Sequence, residues 1–167
     1  MEMIDVKMIL GSLVIGLAVA AGGCSSGGSS ATASPGALGA EKVLVNTDSS
    51  GVALQGYDPV AYFTDGRPVR GTTEFRTTHQ GYEYRFANAE HLAAFRANPS
   101  RYLPQYGGYC AWAVSQGYTA SADPTNWRIV DGKLYLNYND EVQRRWEQDI
   151  PGHIRSANAN WPGVLSR

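Results

Sequence analysis

Hydrophobic and polar positions divide the chain into three parts with different patterns. Residues 8–21 are an unbroken run of apolar and small side chains, residues 24–41 are mostly Gly, Ser, Ala and Thr without an apolar period, and residues 42–165 show strand-like and helix-like periods. The first run is too short to cross a bilayer as a helix, but it has the length of an export signal's apolar core. The pattern therefore predicts a signal peptide (1–23), a flexible tether (24–41) and one folded domain (42–165).

Alternating residues in the domain predict two β-hairpins. Two runs rich in Thr and aromatic side chains, residues 73–79 and 82–88, are joined by Gln80–Gly81. Residues 126–139 alternate on both sides of Asp131–Gly132. An Asp-Gly pair between alternating runs is the strongest sequence signal for a two-residue hairpin turn.

Capping residues and helix-breaking residues mark the helices. Asn88 and Asn139 are good N-caps for the helical periods that follow them, and Pro151 is expected to end the second of these helices. Shorter helical segments are expected at residues 60–63, 99–103, 111–116 and 152–161, and a short strand at 42–46. Strands and helices mixed without strict alternation predict an α+β domain, in which helices pack on a small antiparallel sheet.

The charge balance narrows the class of partner. Of the 14 basic and 15 acidic residues, Lys7, Glu2 and Asp5 lie before residue 24, so 13 of each remain and the mature chain has no net charge. Nothing in this balance resembles a phosphate-binding surface, so nucleic acid is not an expected partner. The sequence also has no Cys-x-x-Cys motif and no Gly-rich phosphate loop.

The residues around Cys24 resemble the site at which a bacterial lipoprotein is acylated and cut. Small residues precede this Cys, although Ala21 stands where Leu is usual and Lys7 is the single basic residue before the apolar run. We therefore expect Cys24 to carry acyl chains such as palmitate and to anchor an extracytoplasmic protein in the membrane. Ser25 instead of Asp favours the outer membrane where the cell has one, and the alternative is an ordinary cleaved signal.

With Cys24 acylated, Cys110 is the only thiol of the mature chain and an internal disulfide is excluded. Gly107 and Gly108 give a ligand or a backbone segment room to approach. A helix that begins near Tyr109 would place the thiol at its N-terminus and lower its pKa, as in a working thiolate. The alternative is a small buried hydrophobe, which is how free Cys usually behaves.

A thiolate needs a partner, and His79 is the histidine that we expect nearest to Cys110. The two could form a nucleophile and its base, with Cys110 as the catalytic thiol. They could equally be two ligands of a soft metal site for copper or zinc, without Met because all three methionines precede residue 9. Four aromatic residues are expected to wall a pocket around the sulfur: Tyr57, Tyr106, Tyr109 and Trp112.

Three long motifs resemble the YHS-domain proteins, a bacterial family of exported or lipid-anchored proteins of unknown activity. They are "GYDPVAYF", "HQGYEYRFANAEHLAAFRANPSRYLPQYGGYCAWA" and "DPTNWRIVDGKLYLNYN". The resemblance implies a YHS/TRASH-like α+β domain. The wider group is thought to bind metal through cysteines, but Ala61, Ala87 and His91 stand at three of those positions, so a four-thiolate zinc site cannot be built here.

Some members of this branch resemble the chain around Cys110 but carry selenocysteine there, which implies that the sulfur is a working atom. The resulting hypothesis is an envelope lipoprotein with a single-cysteine site for thiol redox chemistry or soft-metal binding, acting on an unknown small-molecule ligand. The alternative is a non-catalytic interaction or scaffold module that docks an envelope protein and in which Cys110 is structural.

Overall fold

The computed structural model describes residues 44–166, so the predicted signal peptide, the tether, Cys24 and Arg167 lie outside the described residues. The described part is an α+β domain with six α-helices and two antiparallel hairpins, as the sequence predicts. The strands are β1 (Thr72–His79), β2 (Tyr82–Phe86), β3 (Asp123–Val130) and β4 (Lys133–Asn137). The helices are α1 (Ala61–Thr64), α2 (Ala89–Ala97), α3 (Pro99–Tyr102), α4 (Ala111–Ser115), α5 (Asp140–Glu147) and α6 (Ile150–Asn160).

Both predicted hairpins are present, and each forms a two-stranded sheet of its own instead of joining one sheet. The turn residues Gln80 and Gly81 have φ angles of 51° and 87°, and Asp131 and Gly132 have 50° and 71°. Positive φ at both central residues is the type I′ geometry that fits the twist of paired strands. Local turn chemistry therefore determines where each hairpin reverses.

The helix caps also form as predicted. The side chain of Asn88 accepts a hydrogen bond from the backbone N–H of His91 at 2.8 Å, and that of Asn139 accepts one from Val142 at 2.9 Å. The predicted role of Pro151 is wrong, because α5 already ends at Glu147 and this proline lies in the first turn of α6. A proline is tolerated there because the N–H groups of a first helical turn have no intrahelical partner.

The strand predicted at 42–46 is also wrong over its described part, since residues 44–46 form no strand. The backbone N–H of Asn46 donates to the carbonyl of Gly107 at 2.9 Å, and its side-chain amide donates to the carbonyl of Gly108 at 3.1 Å. The segment is therefore fixed by two bonds to a loop and not by a strand ladder.

Helix α4 stands between two apolar clusters and contributes to both. Cys110, which caps α4, and Ala113 lie in the first cluster, with aromatic side chains such as Phe95 of α2. Ala111 and Val114 lie in the second cluster, with side chains of α5 and α6. A single parallel bridge pairs Cys110 with Leu136 of β4, so the cysteine is fixed where α4 meets the second hairpin.

None of the helices within residues 44–166 combines the length and the hydropathy needed to cross a membrane.

Candidate site at Cys110

The backbone just before Cys110 needs its glycines for a close approach. Gly107 and Gly108 have φ angles of 60° and 80°, in the left-handed region that glycine adopts without strain. A Cβ atom on Gly107 would lie 2.4 Å from the carbonyl oxygen of Leu44. The room at Gly107 is therefore filled by the segment that contains Leu44, and the room at Gly108 by the ring of Pro104.

The sulfur of Cys110 is buried, and among residues 44–166 it has one side-chain hydrogen-bond partner. Cys110 is 1% exposed, and its Sγ lies 3.7 Å from Oδ1 of Asn137, which is itself fully buried. The backbone N–H of Trp112 donates to the same oxygen at 3.2 Å. Because that oxygen already accepts from an N–H, the amide orientation is fixed and the thiol must act as the donor. This geometry fits the neutral S–H form.

The pKa of the Cys110 thiol also favours the neutral S–H form. Burial raises the pKa of Cys110 above its ordinary value, while backbone N–H groups of Ala113, Tyr138 and Trp112 act against this rise and do not cancel it. The direction is opposite to that expected for a thiol at a helix N-terminus. The helix that follows has only five residues, so its dipole is small beside the cost of desolvating a buried anion.

An apolar cavity of about 190 Å³ borders the cysteine. Its walls are mainly aromatic and aliphatic and are formed by Cys110, Trp112, Ala113, Tyr118, Ala120, Tyr138 and Val142. Tyr118 and Tyr138 are 48% and 55% exposed, although large aromatic rings are usually buried. The ring of Tyr118 meets that of Trp112 edge to face, with 6.4 Å between ring centroids. Two of the side chains that line the cavity are therefore exposed to solvent.

A second, more polar cavity of about 400 Å³ shares Tyr138 with the first. It is lined by Gln55, Ser121, Ala122, Asp123, Tyr138 and Asn139. Ala120 lines the apolar cavity, the next three residues line the polar one, and Tyr138 lines both, so the two cavities lie side by side. Tyr138 therefore separates apolar walls from polar groups at the boundary of the two cavities.

Only one of the four predicted pocket aromatics lies in the apolar cavity, and that is Trp112. Tyr106 and Tyr109 pack against Trp161, with ring centroids 5.9 and 6.3 Å apart, at the second apolar cluster. Tyr57 lies under the guanidinium of Arg70, 4.5 Å from the ring centroid. Closeness to Cys110 in sequence did not place the rings of Tyr106 and Tyr109 in the cavity beside its sulfur.

His79 lies at the end of β1, where its ring packs against Phe95 and Tyr84 with centroids 5.8 and 6.4 Å apart. None of the hydrogen bonds or ring contacts of His79 within residues 44–166 involves Cys110. Over the same residues, no three His, Cys, Asp or Glu side chains are grouped so that they could hold a metal ion. The surroundings of Cys110 do not fit copper or zinc, since its one polar side-chain partner is an amide that already accepts from Trp112.

Sequence reasoning missed Asn137, Tyr118 and Tyr138 as residues of the site. Asn137 lies on β4 in the otherwise apolar run "LYLNY", and a polar side chain inside such a run is the signal that could have found it. Its Nδ2 is buried and has no hydrogen-bond partner among the described residues. Tyr118 gives no comparable signal, because it lies in a loop after α4.

A second buried polar arrangement joins Asp58 to His91. The carboxylate of Asp58 is fully buried, and its Oδ2 lies 2.6 Å from Nδ1 of His91 and accepts the N–H of Ala87 at 2.8 Å. Nε2 of His91 lies 3.1 Å from the hydroxyl of Thr64, so carboxylate, imidazole and hydroxyl follow one another as in a hydrolase triad. None of these residues lines either cavity described above, so the arrangement ties α2 to α1 and the turn before it.

Comparison of the chain with family models, with curated proteins and with solved structures finds no match in any of the three. The resemblance to YHS-domain proteins therefore rests on the three sequence motifs.

Proposed function

We propose that the chain is an envelope lipoprotein whose domain is a non-catalytic binding module. The apolar cavity beside Cys110 holds an apolar group of the ligand, and Cys110 serves as part of the wall. The observation that carries the proposal is that two exposed aromatic side chains, Tyr118 and Tyr138, line a cavity with apolar walls. Concave apolar surface with a few polar groups nearby is the usual character of a ligand site.

The lipid anchor is part of the proposal and is supported by sequence alone. The apolar run at residues 8–21 and the small residues before Cys24 are typical of a lipoprotein signal. The YHS-like motifs point to the same group of exported or lipid-anchored proteins. An anchored domain that captures a small ligand at the envelope fits both features.

Binding is favoured over thiol chemistry by the state of the sulfur. A thiol attacks as its anion, and a raised pKa leaves little anion at neutral pH. The neutral thiol is further stabilised as a donor to Asn137, and Cys110 is 1% exposed. A neutral, buried thiol is well suited to pack against an apolar group, since it behaves as a small hydrophobe.

Thiol redox work is the second candidate, and one observation favours it. Three backbone N–H groups, those of Ala113, Tyr138 and Trp112, act to lower the pKa of Cys110. In this candidate the thiolate attacks a peroxide oxygen, the O–O bond breaks, hydroxide leaves and Cys110 becomes a sulfenic acid, which an external thiol reduces. Oxidation of Cys110 by hydrogen peroxide at neutral pH faster than that of free cysteine would favour this candidate over binding.

A cavity-filling variant tests the binding proposal. The partly buried Ala120 lines the apolar cavity, and in the Ala120→Leu variant the larger side chain occupies space that a ligand needs. The neutral probe 2-phenylethanol should shift the NMR resonances of Trp112 in the full-length chain. In the variant we expect affinity at least about tenfold weaker. Ala97→Leu on the exposed surface of α2 is the matched control. Equal binding by wild type and Ala120→Leu, or no binding at all, would overturn the proposal.

A further inference from the structure

The adjoining cavities differ in polarity, and this difference restricts the ligand. The apolar cavity of about 190 Å³ is large enough for one aromatic ring, since a dry apolar cavity of roughly 150 Å³ accepts benzene. The polar cavity of about 400 Å³ begins on the other side of Tyr138. A molecule that reaches both therefore has an apolar end and a polar end.

Asp123 is the only charged side chain among the residues that line the two cavities. Its Oδ1 accepts two hydrogen bonds from Thr125, from the backbone N–H at 2.8 Å and from the hydroxyl at 2.7 Å, and these hold the carboxylate in place. Asp123 forms no ion pair with any residue between 44 and 166. A fixed carboxylate with a remaining oxygen favours a cationic group.

Other groups near the polar cavity are consistent with this charge preference. Asp140, directly after the lining residue Asn139, adds a second exposed carboxylate in the first turn of α5. The exposed ring of Tyr138 presents an electron-rich face to a cation. Arg70 contacts the backbone carbonyl of Gln55 at 3.2 Å, but it lies over the Tyr57 ring and lines neither cavity.

We infer that the ligand is a small organic cation, an amine that carries one aryl or short alkyl group. Resting on the proposed binding function, this inference assigns the apolar group to the cavity beside Cys110 and the ammonium to Asp123. The cation lies next to the Tyr138 ring, and an anionic analogue of equal length is rejected by the carboxylate. The site thus selects by charge at one end and by size at the other.

Three probes of nearly equal shape test the inference by NMR titration of the full-length chain. They are 2-phenylethylamine, 2-phenylethanol and 3-phenylpropionate, which are cationic, neutral and anionic at neutral pH. We expect the amine to bind about fivefold more tightly than the alcohol, which is the scale of a partly exposed charge pair, and the anion to bind most weakly. Added salt should narrow these differences.

The variant Asp123→Asn removes the charge and keeps an acceptor for Thr125. It should make the amine and the alcohol equal in affinity, whereas Asp131→Asn, in the exposed turn of the second hairpin, should leave the preference unchanged. The charge inference fails, while the binding function stands, if the alcohol binds and the amine binds no more tightly than the alcohol. It also fails if Asp123→Asn leaves the affinities of the probes unchanged. If none of the probes binds, the binding function fails with it.

Discussion

The sulfur of Cys110 and the side-chain oxygen of Asn137 lie 3.7 Å apart in the buried interior, and the thiol is the donor. The reason is the backbone N–H of Trp112, which donates to the same oxygen and so fixes the amide. One residue of β4 thereby holds both the thiol and the first turn of α4. Burial raises the pKa of the thiol and favours the neutral form that donates this bond.

Removing this acceptor should destabilise the domain. In Asn137→Leu the buried N–H of Trp112 loses its partner, and we expect a loss of about 2 kcal/mol in the free energy of unfolding. Chemical denaturation of the variant and of wild type measures the difference. Cys110→Ala is the matched control, because it removes the sulfur and keeps the bond to Trp112, so it should cost less than Asn137→Leu. Equal losses in the two variants would contradict this account of Asn137.

The reactivity of Cys110 should rise only at alkaline pH. Because its pKa is raised in the folded protein, alkylation by iodoacetamide should stay slow through the range near pH 8.5 in which ordinary thiols ionise. In denaturant the same cysteine should react as a free thiol. Peptide mass spectrometry after timed alkylation gives the rate at Cys110 alone, and a folded-state rate that levels off near neutral pH would refute the raised pKa.

The raised pKa of Cys110 also makes the free energy of unfolding depend on pH. A folded-state pKa above the unfolded value means that the neutral thiol stabilises the fold. This contribution is fully present below the unfolded pKa of the thiol and is lost as the pH rises through the folded pKa. The stability difference between wild type and Cys110→Ala should therefore shrink above about pH 8.5. Denaturation curves at pH 7 and pH 10 measure it.

Asp58 should be essential for folding although it is remote from the cavities. Asp58→Ala leaves the N–H groups of Val60 and Ala87 and the ring of His91 without their buried acceptor, and we expect a loss of about 3–5 kcal/mol. Glu74→Gln, on the exposed surface of β1, should change stability by less than about 0.5 kcal/mol. Thermal denaturation compares the two variants, and a mild effect of Asp58→Ala would show that the linkage contributes little.

Gly107 should tolerate no side chain. In Gly107→Ala the new Cβ would meet the carbonyl oxygen of Leu44 at 2.4 Å, so the N-terminal segment must move. Gly132→Ala is the control, since that position also has a positive φ but open space around it. We expect the first variant to lose about 1–3 kcal/mol more than the second. The amide of Asn46, bonded to Gly107, should exchange its hydrogen faster in Gly107→Ala but not in Gly132→Ala.

The features that the sequence predicts correctly are those determined by near neighbours. The turn at Asp131–Gly132 and the caps at Asn88 and Asn139 each depend on residues within three positions of one another. Their conformational preferences act locally, so the surrounding fold does not alter them.

The sequence does not reveal which residues are in contact at the candidate site. Cys110 and Asn137 are 27 positions apart, and Asp58 and His91 are 33 apart. Which distant residues come into contact depends on which face of α4 packs against each of the two apolar clusters. The spacing of apolar residues in a five-residue helix does not reveal which face that is. Tyr109, next to Cys110 in sequence, accordingly packs against Trp161.

The contact of Asn46 with Gly107 and Gly108 also has a mechanical meaning. A force applied to the chain before Asn46 would be carried by these two bonds, which end two residues before Cys110. In the proposed anchored protein, tension on the anchor would therefore act on the loop that leads into Cys110, which forms part of the wall of the apolar cavity.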